Sequence, residues 1–153
     1  MRTILNVLWN VPGLGFVAAF FWTLAGIVMA ITIIGLPWAK ACFTLANYTL
    51  APFGRELASR RDVTGRYSLG TGGLGLIANV IWFVLAGWWL MLMHIVAACA
   101  SAITIIGIPF AWAHLKLAAA AIAPVGKIVV PTEVAAEIDR EKAASWLYGT
   151  RRW

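Results

Sequence analysis

Two long stretches of the chain contain no Asp, Glu, Lys or Arg: Thr3 to Ala39 and Tyr67 to Leu115. Each exceeds the roughly 20 apolar residues that cross a bilayer as a helix. Neither alternates polar and apolar positions, so helices are expected rather than barrel strands. Each stretch contains the same phrase. Ile31-Thr32-Ile33-Ile34-Gly35-Leu36-Pro37 recurs as Ile103-Thr104-Ile105-Ile106-Gly107-Ile108-Pro109. Gly35 and Gly107 are expected to end one helix with a left-handed cap, and Pro37 and Pro109 to open the next. The phrase reads as the turn of a helical hairpin, present twice.

Two further landmarks recur in the same order. Asn6-Val7-Leu8-Trp9 matches Asn79-Val80-Ile81-Trp82, and Ala51-Pro52-Phe53-Gly54 matches Ala123-Pro124-Val125-Gly126. The chain is an internal duplication. A helix from Ile4 to Ile34 would be about 46 Å long, too long for a core of about 30 Å. Pro12-Gly13 interrupts it and leaves a span of about 31 Å from Leu14 to Ile34. In the second copy a first piece from Leu76, a bend near Gly87 and a span to Ile106 are expected. Return helices run from Trp38 to about Phe53 and from Phe110 to about Ala123. The pattern leaves open whether these returns cross fully or are re-entrant.

Arg55 to Arg66 is strongly polar and reads as a connecting loop with at most a helical turn. The glycine run from Gly70 to Gly75 has no preceding strand and no acidic partner before Glu133, so it is not a nucleotide loop. It reads as a flexible approach to the membrane. After Lys127 the chain turns polar. Pro131-Thr132 begins a helix with Glu133 in its first turn, and Gly149 stops it. Glu137 with Arg140, and Asp139 with Lys142, are spaced to pair. The expected fold is an all-α integral membrane protein. It has two tandem helical-hairpin repeats with broken or tilted first helices and a short cytoplasmic C-terminal helix. Its units are a first membrane hairpin (1–54), a basic cytoplasmic loop (55–73), a second hairpin (74–126) and a cytoplasmic amphipathic tail (127–153).

Composition agrees with lipid as the solvent. Of 153 residues, 62% are hydrophobic and 12% charged, where soluble domains are about a quarter charged. The net charge of +6 sits at Arg2, in Arg55–Arg66 and after Lys127. Basic segments flanking apolar spans fix orientation, so both termini are expected in the cytoplasm of a multi-pass protein, with the reversals on the far side or at depth. The halves are then parallel repeats. Nucleic acid is not expected as a partner. The apolar N-terminal run is longer than a signal-peptide core and is read as uncleaved.

The spans hold no nucleophile with a base, no paired carboxylates and no metal spacing, so no enzyme, cofactor or metal is expected. Cys42 and Cys99 read as small buried residues. Four ionisable side chains fall within apolar segments: Lys40, His94, His114 and Lys116. Lys40 snorkels to the headgroups, where Trp88, Trp89 and Trp153 are further candidate anchors. Lys116 lies about 10 Å into its helix. With no acid in either apolar core, its expected partners are backbone carbonyls, Asn6, Asn79 or water. Lys116, His94, Asn6 and Asn79 form the candidate pore or polar packing site. Small residues at Gly26 and Ala30, Ala97 and Ser101, and Ala98 and Ala102 allow close helix contact and a homo-oligomer. The expected role is structural or accessory and self-associating. The alternative is an oligomeric channel or transporter for a small anionic solute.

The repeated Ile-Gly-(Leu/Ile)-Pro and Pro-(Phe/Val)-Gly, with Gly87-Trp88-Trp89-Leu90-Met91-Leu92-Met93-His94 between, is similar to the YccF family of small bacterial inner-membrane proteins. The resemblance runs from about Arg2 to Val130 and takes in both copies of that family's inner membrane component domain. It implies location in a bacterial inner membrane. It implies no established activity, cofactor, protein partner or catalytic residue.

Overall fold

The computed structural model describes residues 1–12, 14–67 and 70–149. The first repeat opens with α1 (Arg2–Asn10), breaks after Pro12, and continues as α2 (Leu14–Ile31). The reversal follows, and α3 (Leu36–Leu50) returns along α2. Strand β1 (Arg55–Ser59) and a short α4 (Arg60–Thr64) complete the first half. The second half is α5 (Gly73–Trp82), a π-helical turn (Phe83–Gly87), α6 (Trp88–Ala102), α7 (Ile108–Ile122), β2 (Lys127–Pro131) and α8 (Thr132–Gly149). Among the described residues, Leu14–Ile31 and Gly73–Ala102 are the helices long and apolar enough to cross a membrane.

The fold is mostly helical but not all-α. β1 and β2 pair antiparallel, with Leu57 opposite Val129 at the centre of the register. Arg55–Arg66 is therefore a strand and a helical turn, not a loop. Its charged residues hide a strand whose partner lies about seventy residues further along. The correspondence between copies extends through this sheet. Leu57 and Val129 hold equivalent places, as do Arg60, whose N–H donates to Gly126 O at 2.8 Å, and Thr132, whose N–H donates to Gly54 O at 3.1 Å. Equivalent residues that bond each other reciprocally define an approximate two-fold axis through the centre of the sheet.

The same reciprocity orders the helices. Trp38, at the start of α3, donates its indole N–H to Ala78 O at 3.1 Å. Phe110, its counterpart at the start of α7, packs on Trp9 at 5.9 Å and on Phe53 at 6.3 Å between ring centroids. Each reversal therefore lies against the base of the other hairpin. The reversal Ile33–Pro37 shares a recess with Arg60 and Lys127, so it is not at the end remote from the basic segments, which was one of the two places the charge pattern left open. Two buried clusters fill the seam. One joins Trp22, Cys42, Leu45, Trp82 and Ala120; the other joins Trp9, Tyr48, Ala113 and Leu117. Leu57, on the inner face of the sheet, packs against both. Most of the remaining apolar side chains, including Phe16, Phe20, Phe21, Val84, Trp89 and Val96, stay exposed. Such a surface is stable in hydrocarbon and not in water.

The second copy is not broken where the first is. Pro12 has no counterpart there, and the helix runs on from Gly73 to Ala102. A π turn interrupts this helix, where Trp88 N–H reaches back to Phe83 O. The turn brings Gly87 so close to α7 that a Cβ would stand 2.9 Å from Ala121 O. Gly35 and Gly107 have right-handed angles, φ −75° and −79°, so neither is the left-handed cap expected. They are glycine because of crowding: a Cβ at Gly35 would lie 2.4 Å from Met29 O, and one at Gly107 1.9 Å from Ser101 O. The left-handed residue of the first reversal is Ile33, at φ 59°. Pro37 and Pro109 open α3 and α7 as expected.

Candidate functional site

Asn6 and Asn79 do the same work in the two copies. The Asn6 amide donates to Phe53 O at 3.0 Å and its oxygen accepts from Phe53 N–H at 3.1 Å. The Asn79 amide donates to Val125 O at 3.1 Å and its oxygen accepts from Val125 N–H at 2.9 Å. One turn on, the indoles of Trp9 and Trp82 donate to Thr49 O and Ala121 O, each at 2.8 Å. An Asn-x-x-Trp face thus clasps the frayed C-terminus of each return helix, where carbonyls lack helical partners. Neither amide faces Lys116. Replacing Asn79 with Leu leaves both polar groups of Val125 unpaired and is expected to cost about 2 kcal/mol. A lowered thermal midpoint in detergent measures it, and Asn6→Leu should match it.

Lys116 crosses from the second repeat to the first. Its ammonium donates to Pro52 O at 2.9 Å and Arg55 O at 2.7 Å, and pairs with Glu56 Oε1 at 2.8 Å. The Tyr48 ring lies 5.7 Å away. The expected backbone carbonyls are present, but the expected amides are not, and a carboxylate is. Glu56 was missed because it lies in the polar segment, outside either apolar core. Its place on β1, directly after the α3 base, brings it to Lys116. Two carbonyls take two of the three donors of the ammonium, and the Glu56 carboxylate neutralises its charge.

His94 on α6 and His114 on α7 face each other, Nδ1 to Nδ1 at 3.2 Å, one ring donating to the other. The His114 ring also meets the Trp9 ring at 5.1 Å. Among the described residues no group of three or more His, Cys, Asp or Glu is placed to hold a metal. Trp88 and Trp89 are exposed and stack edge to face at 6.0 Å. Lys40 is exposed on the first turn of α3. Trp153 lies outside the described residues. Cys42 is buried, but Cys99 is exposed on α6.

The polar segments are tied to one another. Arg2 pairs with Glu133, and Lys142 with Asp62 rather than with its helix neighbour Asp139. Glu137 and Arg140 do pair, at 3.3 Å. The N-terminus, β1–α4 and α8 therefore gather around the sheet.

The model of the inner membrane component domain matches the chain twice, over residues 4–55 and 77–127. The inner membrane protein YccF of Escherichia coli (strain K12) is 40% identical over 137 residues, covering 88% of this chain and 91% of that protein. Its namesake in Shigella flexneri matches to the same extent. No solved structure matches. The two domain matches begin and end on the Asn clasps and the strands that the sheet pairs: this chain belongs to the YccF family of inner membrane components.

Proposed function

We propose that the protein is a structural component of the bacterial inner membrane that acts by contact, through self-association of its apolar exterior. The observation that carries this reading is the saturation of the candidate pore. Lys116 donates to Pro52 O and Arg55 O and pairs with Glu56, His94 and His114 bond each other, and Asn6 and Asn79 close their own hairpins. A conducting path needs groups free to exchange partners with the passing solute. These groups have partners already, while the exposed faces of α2 and α6 offer apolar contact area. The gathering of Arg2, α4 and α8 supports a cytoplasmic sheet under the positive-inside rule. The return segments are read as re-entrant, because Ile33 and Ile34 stand beside Arg60 and Lys127.

Reconstitution tests the reading. Liposomes holding the purified protein are expected to pass chloride and phosphate no faster than empty ones, and crosslinking in native membranes to give a ladder of its own multiples. Anion flux that Lys116→Ala abolishes, with folding intact, would replace this reading with the channel. Absence of self-crosslinks would remove it as well.

A further inference from the structure

The recess beneath the first reversal gathers charge that no carboxylate among the described residues pairs with. It measures about 580 Å³ and is lined by an apolar set and a cationic set of side chains. Ile33, Ile34 and Leu36 form the first; Lys40, Arg60 and Lys127 bring cations from α3, α4 and β2. Among the described residues no carboxylate lines it. Arg60 Nε is buried without a hydrogen-bond acceptor, which is costly for a charged donor. Elsewhere in the described structure Arg2 pairs with Glu133, Lys116 with Glu56 and Lys142 with Asp62, and Arg55 bonds Ala51 O and Asn47 Oδ1.

The cations of the recess are not repeated as a set in the second copy. At the equivalent reversal, Lys40 is replaced by Trp112 and Arg60 by Thr132. Arg55 stands for Lys127 there, and its guanidinium is spent on Ala51 O at 2.9 Å and Asn47 Oδ1 at 2.8 Å. The backbone differs too. Ile33, in the cationic recess, is the one non-glycine residue with positive φ among the described residues. A β-branched residue held there is strained, and such strain concentrates at ligand clamps.

We propose that this recess binds an anionic phospholipid of the surrounding bilayer. Its phosphodiester meets the cations of Lys40, Arg60 and Lys127, and an acyl chain lies along Ile33, Ile34 and Leu36. Arginine and lysine together suit phosphate oxygens. The apolar lining distinguishes a lipid from a free phosphate ion.

The test is native mass spectrometry of the full-length protein, delipidated in mild detergent and titrated with phosphatidylglycerol or phosphatidylcholine. The wild type is expected to retain phosphatidylglycerol about tenfold more strongly than phosphatidylcholine. Lys40→Gln, Arg60→Gln and Lys127→Gln combined are expected to abolish that preference. Removing the same charge elsewhere, at Arg61, Arg66 and Arg140, is expected to leave it. Lys40→Arg with Lys127→Arg keeps the cations and is expected to keep the preference, so a loss through misfolding is recognised. Equal retention of both lipids by the wild type overturns the proposal. So does an unchanged preference in the triple Gln variant, or displacement of the lipid by millimolar inorganic phosphate.

Discussion

Replacing Lys116 with methionine is expected to destabilise the protein by about 3 kcal/mol, the lower end of the range for breaking a buried ion pair. The side chain is only 13% exposed and Glu56 is 34% exposed, so water compensates part of the loss at the carboxylate and little at Pro52 O and Arg55 O. The methionine fills the same volume, so packing changes little. What remains is an uncompensated Glu56, a Pro52 carbonyl that has lost its Lys116 donor, and an Arg55 carbonyl left with the long bond from the Tyr48 hydroxyl, 3.4 Å. Unfolding in mild detergent, followed by tryptophan fluorescence, should register the loss as a lower midpoint. Adding Glu56→Gln removes the stranded charge and is expected to restore about 1 kcal/mol. An unchanged midpoint in Lys116→Met would mean that the strut between the halves contributes nothing.

The second large effect is expected at Gly126. Gly54 and Gly126 occupy equivalent places just before the two strands, with φ of +85° and +84°. An alanine at either suffers the left-handed penalty of about 1–2 kcal/mol. The surroundings then separate them. A Cβ at Gly54 would meet the Cδ of Arg2, 2.6 Å away, which an exposed flexible side chain can vacate. A Cβ at Gly126 would stand 2.0 Å from Gly70 O, and that backbone is hemmed in by Gly75, whose own Cβ would lie 2.3 Å from the same oxygen. Gly126→Ala is therefore expected to cost about 2 kcal/mol more than Gly54→Ala, the cost of overpacking against backbone. Parallel unfolding curves of the two variants measure the difference.

Much of this architecture is legible in the sequence, and what is not has a common cause. The duplicated reversal, the hairpins, the proline-opened return helices and the start of α8 at Thr132 follow from local chemistry. Caps, prolines and apolar runs act within a turn or two of themselves. The sheet was hidden because β1 and β2 have five residues each, too few for a period, and because Arg55 and Glu56 make β1 look like a loop. Glu56 was hidden for the same reason, and with it the true partner of Lys116. Gly35 was correctly marked as obligatory but for the wrong reason, since a carbonyl contact is invisible without the turn that makes it. Asn6 and Asn79 attracted notice as polar groups in apolar helices. Their repetition beside Trp9 and Trp82 was the better clue, because a feature kept in both copies serves what both copies share, the closing of a hairpin.

The strand that each half lends to the other also bears on the origin of the chain. A molecule with one repeat would carry an unpaired edge at Arg55–Ser59, and the natural mate for that edge is the same strand of a sister molecule. Two such subunits would exchange every reciprocal contact now made within a single polypeptide. The glycine-rich joint then reads as the place where a homodimer was fused. Fusion freed the halves to diverge, so that Lys116 stands where its twin keeps Thr44, and Glu56 where its twin keeps Ile128.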